Sequence, residues 1–183
     1  EFHQLDRRLG HLRVRSPQRE RRLVASLAEV GQQTPIVVVA AEEADWLSAE
    51  GLRLYSRDYL PSEGAAAVFI ERAEGPAGLL RLPEPASFAA HRRGHAAKII
   101  REQLAVSDDG RTLLVDGRAG VARFDHAETT AWADWSGPRW SPRMILGEGM
   151  GVSAALQTVA AVAALESGDF QMAAVTAVGG NQQ

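Results

Sequence analysis

A nearly unbroken apolar stretch lies in the last quarter of the chain, from Val152 to Leu165. Ser153, Gln157 and Thr158 are its only polar residues, and most of its side chains are small. A surface helix would carry a polar face, and a membrane-spanning helix needs about 20 apolar residues. The pattern therefore predicts a helix that is buried on all sides between two covered layers.

The first ordered elements that the pattern predicts are a helix and a strand. Ser16 is placed as the N-cap of the helix, with Pro17 at its first position and Gly31 at its end. The following segment, 35–41, is a run of β-branched and small apolar residues without alternation. Such a run is typical of a strand buried on both faces, so a helix followed by this strand indicates an α/β sheet.

The remaining pattern alternates between strands and helices. Asp125 followed by Glu128 has the spacing of a capping box, which predicts that a helix begins there. The predicted strands cover 64–74, 79–85, 112–115 and part of 168–183, and the predicted helices cover 88–107, 126–135 and 152–165. Together these elements predict an α/β fold with sheet, helix and sheet in layers around a buried central helix.

Length and composition set limits on function. The chain has 183 residues, a net charge of −3 and no cysteine, which excludes disulfides, thiolate metal sites and a cysteine nucleophile within it. His91 and His95 are four residues apart, but no carboxylates complete a ligand set, so we expect no metal and no cofactor. The charged start lacks the apolar run of a signal peptide, which favours a cytoplasmic protein without membrane contact.

The positive charge is concentrated at the start of the chain. Residues 1–24 hold the arginines Arg7, Arg8, Arg13, Arg15, Arg19, Arg21 and Arg22 against only three acidic residues. Two interpretations are open, a solvated helix face or a basic arm that binds phosphates.

Four segments resemble the C-terminal half of β-ketoacyl synthases, in order and in spacing. They read PSEGAAAVFIE (61–71), VDGRAGVARFDHAE (115–128), RMILGEGMGVSAALQTVAAVAALESG (143–168) and AAVTAVGGNQQ (173–183). The likeness covers residues 37–183. It implies a partial thiolase-like fold, in which two sheets enclose central helices.

The same resemblance implies an acyltransferase chemistry that this chain departs from. Family members condense an acyl thioester with a malonyl thioester through a cysteine and two histidines. The cysteine belongs to the family's N-terminal half, which the likeness does not cover. Gly117 stands at the place of the first histidine, Glu148 at the second, and Arg143 at a lysine five residues before it. Whether the chain is an enzyme is therefore left open.

Two interpretations of Glu148 remain at this point. It is either a remodelled catalytic acid or base, or a structural carboxylate that caps the apolar helix. The residues that the resemblance places beside it as substrate-binding are Arg143, Gly147, Gly149, Gly179 and Gly180.

The first 41 residues are similar to a second family. A basic start, an Arg-rich helix and the sequence GQQTPIVVV resemble the beginning of ParB-type partition domains. The two likenesses meet near Val37 to Ala41, so we predict a ParB-like segment at 1–36 and a synthase-like domain at 37–183. Under this alternative the DNA contacts are Arg15, Arg19, Arg21 and Arg22.

The sequence thus predicts a degenerate β-ketoacyl synthase-like protein of fatty acid or polyketide-type biosynthesis. Its expected partners are an acyl carrier protein or a coenzyme A thioester. Pairing with a second copy, or with a complete synthase through an exposed sheet edge, is also expected. DNA is a partner only under the ParB-like alternative.

Overall fold

The structure, a computed structural model, describes residues 36–71 and 93–177 and five further positions near the start of the chain. Those five positions, which are helical and exposed, are Gln18, Arg21, Arg22, Ala25 and Glu29. The chain divides into two units, one formed by 1–36 and 70–77 and the other by 37–69 and 78–183. Nearly all described residues belong to the second unit, which contains every residue of the candidate site.

The described elements of 36–71 and 93–177 form a mixed α/β structure. The strands are β1 Ile36–Glu42, β2 Gly64–Ile70, β3 Thr112–Val115, β4 Arg139–Trp140 and β5 Met172–Val175. The helices are α1 Trp46–Tyr55, α2 Arg93–Leu104, α3 Ala122–Ala131, α4 Pro142–Leu146 and α5 Ser153–Glu166. The predicted α/β class is confirmed, and none of the helices described is long and apolar enough to cross a membrane.

A three-stranded parallel sheet in the order β4-β3-β5 organises the second unit. Leu114 of β3 lies opposite Arg139 of β4 on one side and Ala174 of β5 on the other. All four residues of β3 are buried, as expected for a central strand with covered faces. The predicted strand 112–115 is confirmed with the same limits.

Helices cover both faces of this sheet. On one face, Leu114 packs with Ala97 of α2, Ala131 of α3 and Trp132. On the other face, Leu113 and Val115 pack with Ala161 and Ala164 of α5. The layers are therefore helix, sheet and helix, so the predicted order of sheet, helix and sheet is wrong for the described residues.

The apolar helix α5 is buried on one side only, which corrects the prediction of a central helix covered all round. Its side toward β3 and β5 is buried. On its other side, Val159, Val162 and Leu165 are 37% to 42% exposed. The physical reason is that the sheet β4-β3-β5 covers α5 from one direction only. An apolar sequence shows that a helix can be buried, but not that a second layer is present.

The valine run of β1 is also exposed, contrary to the prediction of a strand buried on both faces. Val37, Val38 and Val39 are 50% to 66% exposed. β1 pairs with β2 in a two-stranded sheet, and that pairing satisfies backbone groups without covering either face.

The start of α3 differs from the predicted capping box. The helix begins at Ala122, so Asp125 lies in its first turn rather than at its N-cap. The Asp125 carboxylate accepts hydrogen bonds of 2.9 Å from the backbone N–H groups of Ala119 and Gly120 in the preceding turn. Glu128 is buried and does not cap the helix.

Other predictions fall on residues outside the described ranges. These are the strand at 79–85, the helix limits at Ser16 and Gly31, and the glycines Gly179 and Gly180.

Truncation of the central strand is expected to destabilise the fold. Leu113→Ala removes a side chain that is fully buried against α5, which costs about 2–5 kcal/mol in the free energy of unfolding. Leu54→Ala is the matched control, because Leu54 is 87% exposed and its truncation is expected to cost less than about 0.5 kcal/mol. Urea denaturation of both variants measures the difference, and equal losses would contradict the described core.

Candidate functional site

The candidate site lies at the carboxyl ends of β3 and β5. Asp116 and Gly117 follow β3, and Thr176 follows β5. In parallel sheets this edge is where ligands commonly bind, because loops and side chains from neighbouring strands converge there. Arg143, in the short helix α4 after β4, reaches the same place.

Arg143 and Glu148 form a buried ion pair. Arg143 Nη2 contacts Glu148 Oε2, while Arg143 Nη1 donates a 2.6 Å hydrogen bond to the carbonyl of Gly117. The second oxygen of Glu148 accepts a 2.9 Å hydrogen bond from Ser153 Oγ. Burial lowers the pKa of Arg143 below its ordinary value, whereas nearby Tyr59 and carboxylates oppose that effect. Both oxygens of Glu148 are therefore engaged within the protein.

The backbone before Glu148 requires glycine. Gly147 has a φ of +88°, and a Cβ there would lie 2.6 Å from the carbonyl oxygen of Leu60. Glu148 N donates to that same carbonyl at 2.7 Å, and Ser62 N donates to the Glu148 carbonyl at 3.1 Å. This parallel bridge holds the backbone of Glu148 beside Pro61. Gly149 N donates to Ser153 Oγ at 3.0 Å.

The carboxylate of Glu148 does not act as a helix cap in the way the sequence suggested. Its partners are the side chains of Arg143 and Ser153, not backbone N–H groups at the start of α5. The catalytic hypothesis for Glu148 stays a prediction, and the geometry gives the carboxylate a structural role.

Three positions singled out by the synthase resemblance lie together. Gly117 belongs to the segment 115–128, whereas Arg143 and Glu148 both belong to the segment 143–168, and the two segments meet through the contacts of Arg143. A Cβ at Gly117 would lie 3.1 Å from Arg143 Nη1 and 3.2 Å from Glu128 Oε1, so a side chain there would crowd this cluster. Gly179 and Gly180 lie outside the described residues.

Glu128 is a site residue that the sequence interpretation missed. It is buried, and its Oε2 accepts a 2.6 Å hydrogen bond from Gly117 N while its Oε1 accepts a 2.9 Å bond from Thr176 Oγ1. Burial raises its pKa to about 7, and Asp116 adds to the rise; Thr176, Gly117 and Arg143 act in the opposite direction.

The sequence did contain a signal for the burial of Glu128, because this residue shares a helix face with the apolar Ala131 and Trp132.

Asp116 completes the buried carboxylates of the site. Its Oδ2 lies 2.7 Å from Arg118 Nε and 3.6 Å from Arg139 Nε. Burial lowers the pKa of Arg139, and the charge of Asp116 opposes this effect. Asp116 and Glu148 therefore each have an arginine partner.

Glu128 lines two cavities. One is a narrow cleft of about 10 Å³, roughly the size of one water molecule, lined by Tyr59, Phe124 and Arg143 among others. The second is a partly open, mainly apolar cavity of about 170 Å³ between α2, the end of α3 and the end of β5. Within the described residues, no cluster of three or more His, Cys, Asp or Glu side chains could hold a metal ion.

Of the arginines named for DNA, Arg21 and Arg22 are helical and exposed, while Arg15 and Arg19 lie outside the described residues. The DNA-binding alternative stays a prediction.

Comparison of the chain with known protein families, with curated proteins and with solved structures gives no match. The synthase-like and ParB-like relationships, and the domain limits drawn from them, therefore stay predictions.

The buried carboxyl of Glu128 is expected to make stability depend on pH. Its pKa is 4.5 in the unfolded reference and about 7 in the fold, so the folded state holds the proton more tightly. The stabilisation is complete below pH 4.5 and is lost as the pH rises through 7, a change of about 3 kcal/mol. Urea denaturation from pH 4.5 to 8 measures it.

Glu128→Gln should remove this decline, because glutamine does not titrate. Glu166→Gln, at an exposed end of α5, is the control and should retain it. Identical pH profiles for the wild-type chain and Glu128→Gln would show that the carboxyl is not desolvated.

The Arg143–Glu148 pair is expected to be strongly coupled. Glu148→Gln leaves a buried guanidinium without its counter-ion, which costs about 3–5 kcal/mol in the free energy of unfolding. A double-mutant cycle with Arg143→Gln should give a coupling energy of about 1–3 kcal/mol. The matched control is the exposed pair Arg53–Glu50 on α1, for which we expect about 0.2–0.5 kcal/mol. Similar coupling in both cycles would contradict the buried pair.

Proposed function

We propose that this chain is a β-ketoacyl-synthase-like protein that binds acyl thioesters and does not condense them. The observation that carries the proposal is the convergence of Gly117, Arg143 and Glu148. The two segments that hold these residues were selected by sequence resemblance alone, which does not require them to lie close together in the structure. Their meeting at the carboxyl edge of a parallel sheet supports a synthase-like arrangement.

The loss of condensation follows from the chemistry of the same residues. The chain has no cysteine to attack an acyl group. An ionised glutamate accepts hydrogen bonds, so Glu148 does not offer the donor that an enolate oxygen requires. Arg143 is committed to Glu148 and to the carbonyl of Gly117. The position where the family carries donors is thus closed by an internal ion pair.

The narrow cleft beside this ion pair has room for about one water molecule, so we assign it to the carbonyl oxygen of the thioester alone, with the rest of the ligand outside it. Tyr59 and Phe124 stack there with ring centroids 5.4 Å apart, next to Arg143. The exposed guanidinium of Arg123 lies 5.4 Å from the centroid of the Phe124 ring. Coenzyme A and carrier-protein thioesters carry phosphate groups at the far end of a long flexible arm, and the exposed guanidinium of Arg123 is suited to bind such a group outside the cleft.

We expect the chain to bind acyl thioesters without transferring or condensing the acyl group. Purified chain mixed with an acyl-coenzyme A and malonyl-coenzyme A should bind the thioester but form no acyl-protein and no condensed product. Calorimetry measures the binding, and mass spectrometry detects both products. Arg123→Glu should weaken binding roughly thirtyfold, because an attraction of about 1 kcal/mol at the surface is replaced by a repulsion of similar size, a change of about 2 kcal/mol. Arg53→Glu, on α1, is the control and should bind as the wild-type chain does.

Different results reject different parts of the proposal. Condensed product from the wild-type chain would contradict the loss of catalysis. Absence of saturable binding would contradict the thioester ligand. Binding that requires a cysteine-bearing synthase in the mixture would instead favour a role as its partner subunit.

A further inference from the structure

The apolar cavity next to Glu128 has the size and lining of a small-molecule site. Its walls include Ile100 and Leu104 of α2, Trp132 after α3 and Val175 of β5. Its volume is about 170 Å³. An apolar cavity of about 150 Å³ is large enough to bind benzene, so this one accommodates about six to eight non-hydrogen atoms.

The polar groups of this cavity lie at one end of it. They are Glu128 and Thr176, whose side chains are joined by a 2.9 Å hydrogen bond. Each carboxylate oxygen of Glu128 accepts one hydrogen bond from the protein. A carboxylate oxygen accepts about two, so the group retains the capacity to receive a further donor.

Glu128 also differs from the other buried carboxylates in its charge partners. Asp116 is paired with Arg118 and Arg139, and Glu148 with Arg143. Among the described residues, no arginine, lysine or histidine forms an ion pair with Glu128. A buried carboxylate without a direct ion-pair partner is unfavourable, and a cation brought by a ligand would compensate it.

We propose that this cavity binds a small apolar molecule bearing a primary ammonium group, with the ammonium against Glu128 and the apolar body along Ile100, Leu104 and Trp132. The inference goes beyond thioester binding and does not use the Arg143–Glu148 pair. An ammonium satisfies the missing charge, and an apolar body of about six to eight atoms fills the volume.

The charge of Glu128 gives this site a characteristic pH dependence. The charged groups that act on it are Asp116 from the end of β3, Arg143 from α4 and Arg139 from β4. Burial raises the pKa of Glu128 to about 7, so its carboxyl is mostly neutral at pH 6 and mostly ionised at pH 8. Because the ammonium binds the ionised form, its affinity should rise about tenfold between these two values.

The test uses three probes of the same length with different head groups, namely hexylamine, 1-hexanol and hexanoate. Calorimetry of the full chain at pH 6 and pH 8 measures each affinity. At pH 8 hexylamine should bind about tenfold or more tightly than 1-hexanol, because a charged hydrogen bond replaces a neutral one. Hexanoate should bind most weakly there. Equal affinity for the amine and the alcohol, or tighter binding of hexanoate at pH 8, would overturn the proposal.

Two variants locate the binding. Glu128→Gln should remove both the preference for the amine and its pH dependence, whereas Glu166→Gln should retain them. Ala177→Phe, at an exposed position of the cavity lining, should weaken all three probes. A Glu128→Gln chain that still prefers hexylamine would place the amine elsewhere and overturn the proposal.

A measurement on the unaltered protein keeps the inference testable if Glu128→Gln does not fold. With a pKa of about 7, Glu128 is half protonated at pH 7, so binding of the amine should release about half a proton. Calorimetry in buffers of different ionisation enthalpy measures that number, and release of no proton would contradict the proposal. Thioester binding is tested with Arg123→Glu, and Arg123 does not line the amine cavity, so failure of one proposal is distinguishable from failure of the other.

Discussion

The burial of β3 on both faces is the constraint on which the rest of the site depends. Leu114 is held by α2 and α3, and Leu113 and Val115 are held by α5, so the strand has little freedom to shift. The chain leaves this strand at Asp116 and Gly117. The N–H of Gly117 donates a hydrogen bond to the carboxyl of Glu128 on α3, and the carbonyl of Gly117 accepts one from the guanidinium of Arg143 on α4. The backbone of Gly117 therefore connects these two side chains. A packed core strand thus sets the geometry of a polar cluster at its end.

Two buried carboxyl groups of this cluster, those of Glu148 and Glu128, differ in their charge partners. They therefore form two different kinds of site within a small volume. Arg143 and Glu148 form an ion pair, so the charge of each is compensated within the protein. Glu128 instead keeps a titratable carboxyl between a narrow cleft and an apolar cavity. A closed ion pair contributes little to ligand binding because both partners are already compensated. A carboxyl without an ion-pair partner among the described residues is where added charge has the largest effect.

The local pattern of apolar and polar residues predicted the helices and strands better than it predicted which of their faces are buried. The strand 112–115 and the helices corresponding to α2 and α5 follow from apolar spacing and turn residues. The same apolar signal failed for Val37–Val39, since a β-branched run favours a strand but does not supply a layer to cover it. Glu128 was missed because an acid three residues after Asp125 has the spacing of a capping box whether it caps or is buried. The capping-box spacing alone does not distinguish these two cases.

In helix α5, the side chains that contact the site are not of the type that dominates the helix. Its composition is apolar, yet the residues that connect it to the site are polar. Ser153 donates to Glu148 at 2.9 Å, and Gln157 Nε2 donates to the carbonyl of Thr176 at 2.9 Å. These two positions are four apart and therefore lie on one face, in line with the small Ala161 and Ala164 that pack on the sheet. Small residues bring the helix close to β3 and β5, and the hydrogen bonds of Ser153 and Gln157 help to fix its position along the strands. The exposed valines on the opposite face take no part in that placement. The buried face of α5 therefore combines small apolar residues that pack on the sheet with two polar residues that form hydrogen bonds to the site.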